Sequence, residues 1–353
     1  MVEKNIVEEK HLSLLQKRWL KFKTLKRGYY ALVTLTFLYC ISFLLPILIN
    51  NRALIVSYED ELYFPILKGY VPGQIFGQNV PGEAKYRELR KSFKQINKGN
   101  WVFMPPYPYS PFEDITTEGN KMYEPPSRKH WLGTDNTGRD VFARLCYAFN
   151  ISISFALILT IINYLFGIFI GGSMGYFGGK FDLFFQRLIE VWASLPMLFV
   201  IIIISSIIKP AFFLLIGIYT LVNWIGMTYL IRAEFYREKA KDYVAAALSM
   251  GQTDLKVMFK HILPNSLVPI ITYFPFSIVA GISALVGLDY LGFGLAPPTP
   301  SWGQMLDVGL QNMSKWWMVF SPIAAQFLTL LSIVFIGEGV REAFDPKEYS
   351  RLR

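Results

Sequence analysis

The sequence predicts an all-α membrane protein with six transmembrane helices and a long extracytoplasmic loop between the first and the second. Three observations carry that expectation. The chain of 353 residues is 53% hydrophobic and 16% aromatic but only 17% charged, against the roughly 25% charge of soluble domains. Six segments, at about 29–49, 151–175, 188–208, 211–231, 267–290 and 318–337, are apolar over the ~20 residues that a helix needs to cross a bilayer. Lysine and arginine are also sorted to one side of those segments.

In chain order, residues 1–28 hold eight basic and three acidic residues and are expected to be a cytoplasmic N-terminal segment. The first span (29–49) follows without a small-residue cleavage site, so a retained helix is predicted and not a signal peptide. Residues 50–138 form the extracytoplasmic loop, with 11 basic against 10 acidic residues. Long loops are largely exempt from the charge rule. Within this loop, EAKYRELRKSFKQINKG is expected to form a short helix ending at Gly99. The loop reads either as an ordered surface cap or as a substrate contact.

Residues 139–337 are expected to form a core of five further spans. The loops 176–187 and 232–266 and the tail 338–353 hold twelve basic residues, whereas the opposite short loops hold only Lys209 and Lys315. Both termini and the 232–266 loop are therefore expected in the cytoplasm. The net charge of +9 reflects this bias, and no nucleic-acid partner is expected. Cys40 and Cys146 lie far apart, as do His11, His130 and His261, so neither a disulfide framework nor a metal site is expected.

The most chemically distinctive stretch is DYVAAALSMGQTDLKVMFKHILPN (242–265). Asp242 is expected to cap a helix through Ala245, Ala246 and Ala247 to Met250, and Gly251 to end it in a left-handed conformation. Thr253 or Asp254 would start a second helix, with Leu255, Met258, Phe259 and Ile262 on its apolar face and Lys256 and Lys260 outward. Pro264 is expected to stop that helix, and a new span to begin near Val268. By periodicity alone the hairpin could lie on the bilayer surface. In HWLGTDNTGRDVFARLCYAFNISISF (130–155), Thr137 is expected to cap a helix with Asp140 three residues on, and Asp140 to pair with Arg144. Gly167, Gly171 and Gly175 recur every four residues, a spacing for close helix packing in lipid, though the same face could line a path. Glu190 and Asp289 are the acidic residues nearest the hydrocarbon and are candidates for a translocation path, with an interfacial position as the alternative.

The 242–265 stretch resembles the EAA loop of ABC-importer permeases, whose pattern is Glu-Ala-Ala, three residues, Gly, nine residues and Ile-x-Leu-Pro. Here the pattern reads Ala245-Ala246-Ala247, Gly251 and His261-Ile262-Leu263-Pro264, departing at the Glu and at the first Ile. The HILPN form, the 130–155 block, GYFGGKFDLFFQRLIEVWASLP (175–196), LDYLGFGLAPPTPSWGQML (288–306) and the IGEGVREAFDPK tail resemble the dipeptide and oligopeptide C-subunit permeases. Within that group, VSYEDELYFP and WVFMPPYPYS in the long loop resemble the YejE-type branch, permeases of microcin C and oligopeptide importers.

The resemblance implies the type I ABC importer permease fold in a bacterial inner membrane. It also implies ATP-driven import of peptides or peptide-like compounds by alternating access. The implied partners are a homologous second permease, cytoplasmic ABC ATPase domains, and a periplasmic or lipid-tethered peptide-binding protein, besides membrane lipid. It assigns ATPase coupling to the 245–263 stretch, and with it to Asp242, Ala245, Ala246, Ala247, Gly251, Asp254, His261, Leu263 and Pro264. The sequence has no G-x-x-x-x-G-K-[ST] loop, nucleophile elbow or H-E-x-x-H. No catalytic residue or cofactor is therefore expected in this chain, and ATP and Mg are expected on the partner ATPase. A secondary transporter and a non-transporting scaffold are the rival classes. A stoichiometric ATPase partner and peptide-stimulated hydrolysis would exclude both.

Overall fold

The computed structural model describes residues 13–80, 82–96, 99–114, 121–208 and 210–345. The first twelve residues of the N-terminal basic segment, Lys209 and the last part of the tail fall outside them. Helix α1 (Leu14–Thr24) is closed by a capping box in which Ser13 and Gln16 bond each other's backbone. Helix α2 (Lys26–Ser42) follows and packs against the last long helix. With 17 residues it is shorter than the ~20 needed to cross. The remainder of the predicted first span is a one-turn helix, α3 (Leu45–Leu48), with Pro46 in its first turn.

Among the described residues, three helices are long and apolar enough to cross a membrane: α6 (Val141–Phe177), α11 (Asp254–Tyr290) and α13 (Trp316–Phe344). Two bent pairs also qualify if each counts as one span. One joins α7 (Gly179–Ala193) to α8 (Met197–Ile207) at 66°, the other bends α9 (Phe212–Lys239) by 47° between Leu221 and Asn223. The described chain thus offers three straight spans, or up to five, where six were expected.

The predicted single span 188–208 is broken before Pro196, because proline has no N–H to continue the ladder and starts α8 instead. The predicted loop 176–187 is mostly α7. The predicted loop 232–266 is also largely helical, since α9 runs on to Lys239. Similarly, α13 continues past the predicted boundary at 337 to Phe344. Charged residues end an apolar run, but they do not end a helix.

The all-α expectation is also corrected. Between α3 and α6 the chain builds a small folded insert around an antiparallel three-stranded sheet of order β2-β1-β3. Its strands are β1 (Ile55–Tyr58), β2 (Glu61–Tyr63) and β3 (Trp101–Phe103). The β1–β2 turn places both Glu59 (φ 49°) and Asp60 (φ 63°) in the left-handed region, as a two-residue hairpin of native twist requires. Helices α4 (Pro65–Lys68) and α5 (Tyr86–Ile96) complete the insert, and Leu89 and Phe93 of α5 pack with Val56 and Val102 of the sheet. The helix expected in this segment is present.

Arg52–Glu83 (2.6 Å) and the buried Arg87–Glu113 pair fasten the insert's loops. Its junction with α6 is a polar knot in which Asp140 Oδ2 takes the Tyr107 hydroxyl (2.6 Å) and contacts His130 Nδ1 (2.7 Å). Burial first, and then Asp140, hold the Tyr107 phenol far above its usual pKa, so it stays a donor. Asp140 itself caps α6, through Oδ1 to the Ala143 N–H (2.7 Å). The expected Thr137 cap is therefore replaced, and Thr137 bonds Asp135 instead. The carboxylate nearest Arg144 is that of Asp135, at 3.8 Å, not Asp140.

Candidate coupling surface and translocation cavity

Helix α10 (Asp242–Ser249) is joined to α9 by a turn of two residues, Ala240 and Lys241. The turn is pinned by the buried Glu238 carboxylate, which accepts from Lys241 Nζ (2.7 Å) and the Tyr243 hydroxyl (2.8 Å). Lys241, not Asp242, is the N-cap, and no side chain bonds the first amides. Asp242 lies in the first helical turn, where its charge still opposes the positive end of the helix.

Val244 and Ala247, three residues apart, are buried against Ile231 and Phe235 of α9. Ala245 and Ala246 face outward. Gly251 has φ 75°, and its N–H donates to Leu248 O while the Gln252 N–H donates to Ala247 O. This paired pattern closes a helix C-terminus, and it favours a residue without Cβ at the left-handed position.

From Thr253 the chain enters α11, again without a side-chain cap. Asp254 accepts from the Tyr176 hydroxyl at the end of α6 (2.6 Å), and Lys239 Nζ reaches the Tyr176 carbonyl. His261 Nε2 lies 2.7 Å from Gln252 Oε1, which latches α11 to the Gly251 turn. Asn265 donates to the Tyr243 hydroxyl and to the His261 carbonyl.

Pro264 does not end this helix, as the sequence had suggested. Residues Val257–Ile262 form a π turn, and the Leu263 N–H reaches back five residues to Met258 O. Proline at the restart of α-helical pairing loses no hydrogen bond that the wider turn had not already displaced. The extra residue also rotates the apolar face. Val257, Met258 and Ile262 are buried, while Leu255 (65% exposed) and Phe259 point out. The hairpin therefore shows Ala245, Ala246, Leu248, Met250, Leu255 and Phe259 on its outer surface, beside Lys256 and Lys260.

The glycine repeat lies where α6 meets α9. A methyl group at Gly167 would stand 2.6 Å from Met227 Cγ, at Gly171 2.3 Å from the Thr228 carbonyl, and at Gly175 2.5 Å from the Arg232 carbonyl. Backbone approaches backbone along this seam. Arg232 also grips Asp182 of α7 through two bonds of 2.6 and 2.7 Å, a bidentate geometry that fixes both helices.

Glu190 and Asp289 are not brought together. Glu190 is exposed and paired with Arg187 (2.6 Å). Asp289 is buried at the end of α11, where it accepts from the Leu295 N–H (2.6 Å) and the Ser301 hydroxyl (2.5 Å). These bonds lead the chain into α12 (Trp302–Gln311). Asp289 borders a polar cavity of about 630 Å³ with Arg139, Arg144 and Asp307.

A second cavity, of about 400 Å³, opens among α6, α9 and α11, lined by Asn163, Tyr164, Asn223, Tyr273 and Ser277 with small and apolar neighbours. Neutral side chains, not charged ones, line it. Its signal was single neutral polar residues inside otherwise apolar runs. Among the described residues, no group of three or more His, Cys, Asp or Glu side chains is placed to hold a metal.

Comparison with known proteins agrees with this architecture. Residues 163–348 match the family described as "Binding-protein-dependent transport system inner membrane component". The chain is 38% identical to the inner membrane ABC transporter permease protein YejE of Escherichia coli, over 94% of this chain and 97% of that protein. It is 36% identical to the peptidoglycan transport system permease protein YejE of Agrobacterium fabrum, over 95% and 94%. Both matches span nearly the whole chain, the sheet-bearing insert included. The dipeptide transport system permease protein DppC of Bacillus subtilis matches at 35% identity over 68% of this chain and 75% of its own. The chain belongs to the family of binding-protein-dependent transport system inner membrane components, the permeases of ABC transporters.

Proposed function

We propose that this chain is the transmembrane subunit of an ATP-driven importer of peptides or peptide-like compounds in a bacterial inner membrane. A binding protein hands substrate to it, a homologous permease completes the path, and separate ATPase domains drive alternating access. The relatives named as peptide and peptidoglycan permeases support the substrate class. In this reading α1–α3 complete a sixth span, both termini and the α10 hairpin are cytoplasmic, and the insert is periplasmic. The Lys and Arg distribution supports that topology.

The observation that carries the proposal is the hairpin. Its inner face is locked to α6, α9 and α11, while its outer face leaves small and apolar side chains uncovered. A partner seated on Ala245, Ala246, Met250 and Leu255 would move the three helices that surround the smaller cavity. Asp242, Asp254, Gly251 and His261 shape this surface, and Leu263 and Pro264 carry it into α11.

Gly251→Val tests the assignment. No neighbour crowds Gly251, so the cost is conformational: a side chain in the left-handed region costs ~1–2 kcal/mol, and a β-branched one more. The expected result is membrane insertion at the normal level with co-purifying ATPase reduced about tenfold or more. Undiminished ATPase recovery would remove coupling from this hairpin. Peptide-stimulated ATP hydrolysis by the purified complex is the companion measurement for the importer reading itself.

A further inference from the structure

The smaller cavity has three properties that its position alone does not require. First, it lies near the middle of each helix that lines it: Leu159–Tyr164 in α6, Asn223 and Gly226 in α9, Tyr273 and Ser277 in α11. Second, the Asn163 side chain lines it while 92% buried, and its Oδ1 has no hydrogen-bond partner. An unpaired buried acceptor forfeits its hydrogen bonds to water without replacement, a cost the fold retains at a point where an apolar residue would pack.

Third, α9 bends by 47° beside the cavity, between Leu221 and Asn223. The Leu221 carbonyl at this bend accepts from two indoles, Trp192 Nε1 (2.6 Å) and Trp224 Nε1 (2.8 Å). Broken helices within a membrane are tolerated where the freed backbone is paired or faces a polar cavity.

The lining also has a definite chemistry. Among the described residues it carries no charged side chain. Its polar groups are two carboxamides, the Tyr164–Ser277 hydroxyl pair at 2.7 Å, and the hydroxyls of Thr160 and Tyr273. A charged chain terminus would find no counter-ion there. A carboxamide is instead matched to a peptide bond, since its oxygen accepts from an N–H and its NH₂ donates to a carbonyl. A peptide amide that displaces water from such a cavity regains the lost hydrogen bonds. The volume lies within the ~300–1,000 Å³ of small-ligand sites.

We infer that Asn163 of α6, together with Asn223 of α9, whose amide also donates to Tyr219 O (3.2 Å), forms an uncharged station that takes the backbone amides of a passing peptide, whatever its side chains. This rests on the importer reading. Neutral backbone recognition would let one permease carry peptides of varied sequence without trapping any by charge.

The test uses the complete complex in proteoliposomes with its binding protein. Uptake of an equimolar mixture of tri- to hexapeptides is followed by mass spectrometry, beside the same mixture N-methylated at internal amides. The wild type is expected to favour the unmethylated mixture by about tenfold, as the loss of one or two hydrogen bonds implies. Asn163→Leu should lower uptake of the unmethylated peptides about tenfold and bring the two mixtures close to parity. Its binding-protein-stimulated ATPase should stay within about twofold of wild type.

The binding protein is common to both, so a changed preference belongs to the permease. Asn223→Leu, on the exposed side of the cavity, should act in the same direction. Unchanged uptake and preference in both variants would overturn the station while leaving the importer intact. Loss of ATPase together with uptake in both would also overturn it, by making the residues structural. A wild-type complex that accumulates no peptide would bring down the importer reading itself.

Discussion

Gly171→Leu is expected to leave little or no folded permease in the membrane. The Cβ that any other residue carries would lie 2.3 Å from the Thr228 carbonyl oxygen. That atom belongs to the backbone of α9, so no side-chain rotation relieves the clash. The helices must separate by more than an ångström along a seam that also holds Gly167 and Gly175. Helix association in lipid depends on close packing and not on a hydrophobic driving force, and dispersion contacts fade steeply with separation. The cost should therefore exceed the ~1–3 kcal/mol of ordinary overpacking.

Gly217→Ala is the internal control. Gly217 lies in α9, the partner helix of that seam, but nothing stands within 4 Å of a methyl placed there, so stability should change by less than about 1 kcal/mol and in the favourable direction. Membrane-fraction yield and the thermal midpoint of the purified protein measure both. A stable Gly171→Leu permease would mean that α6 and α9 are not in backbone contact.

That seam was legible in the sequence because small residues every four positions mark one helix stripe, and only the partner helix was unknown. Gly251 was legible for a similar reason: a glycine after an alanine-rich helix needs no tertiary context to adopt φ 75°. The features that escaped depend on context. The continuation of α11 through Pro264 needs the π turn at Val257–Ile262, which no local propensity announces. The β1–β2 hairpin turns on Glu59-Asp60, without the Asn-Gly or Asp-Gly signal that marks such turns.

Asp140, which caps α6 in place of Thr137, is held through its other oxygen by Tyr107 and His130, partners that local spacing does not announce. The smaller cavity was hidden for a different reason. Its polar residues come from three helices, and each alone resembles a tolerated polar residue in a span. Conversely, the hairpin's outward apolar face could be guessed in kind but not in membership, because the π turn buries Val257 and exposes Leu255 and Phe259.

Asp289→Ala is the second large effect expected, and it separates structure from transport. Asp289 is 4% exposed, and its two oxygens bind the Leu295 N–H and the Ser301 hydroxyl. Gly294 and Gly303 press on it so closely that a methyl at Gly294 would stand 1.8 Å from Oδ1. The loop so gathered delivers the buried Trp302, whose Nε1 donates to Leu145 O of α6 (3.2 Å). Alanine would strand two buried donors and open a void, at about 2–5 kcal/mol in all, enough to unseat α12.

Asparagine keeps the shape: its oxygen still accepts from Leu295, and its NH₂ faces Ser301, whose hydroxyl can turn to accept. Asp289→Asn should therefore hold its thermal midpoint within a few degrees and retain most peptide uptake, whereas Asp289→Ala should lose both. The opposite pattern, a stable Asp289→Asn complex that no longer transports, would assign the carboxylate charge to the translocation path. The geometry argues against that outcome, because both oxygens are already committed to the loop they hold.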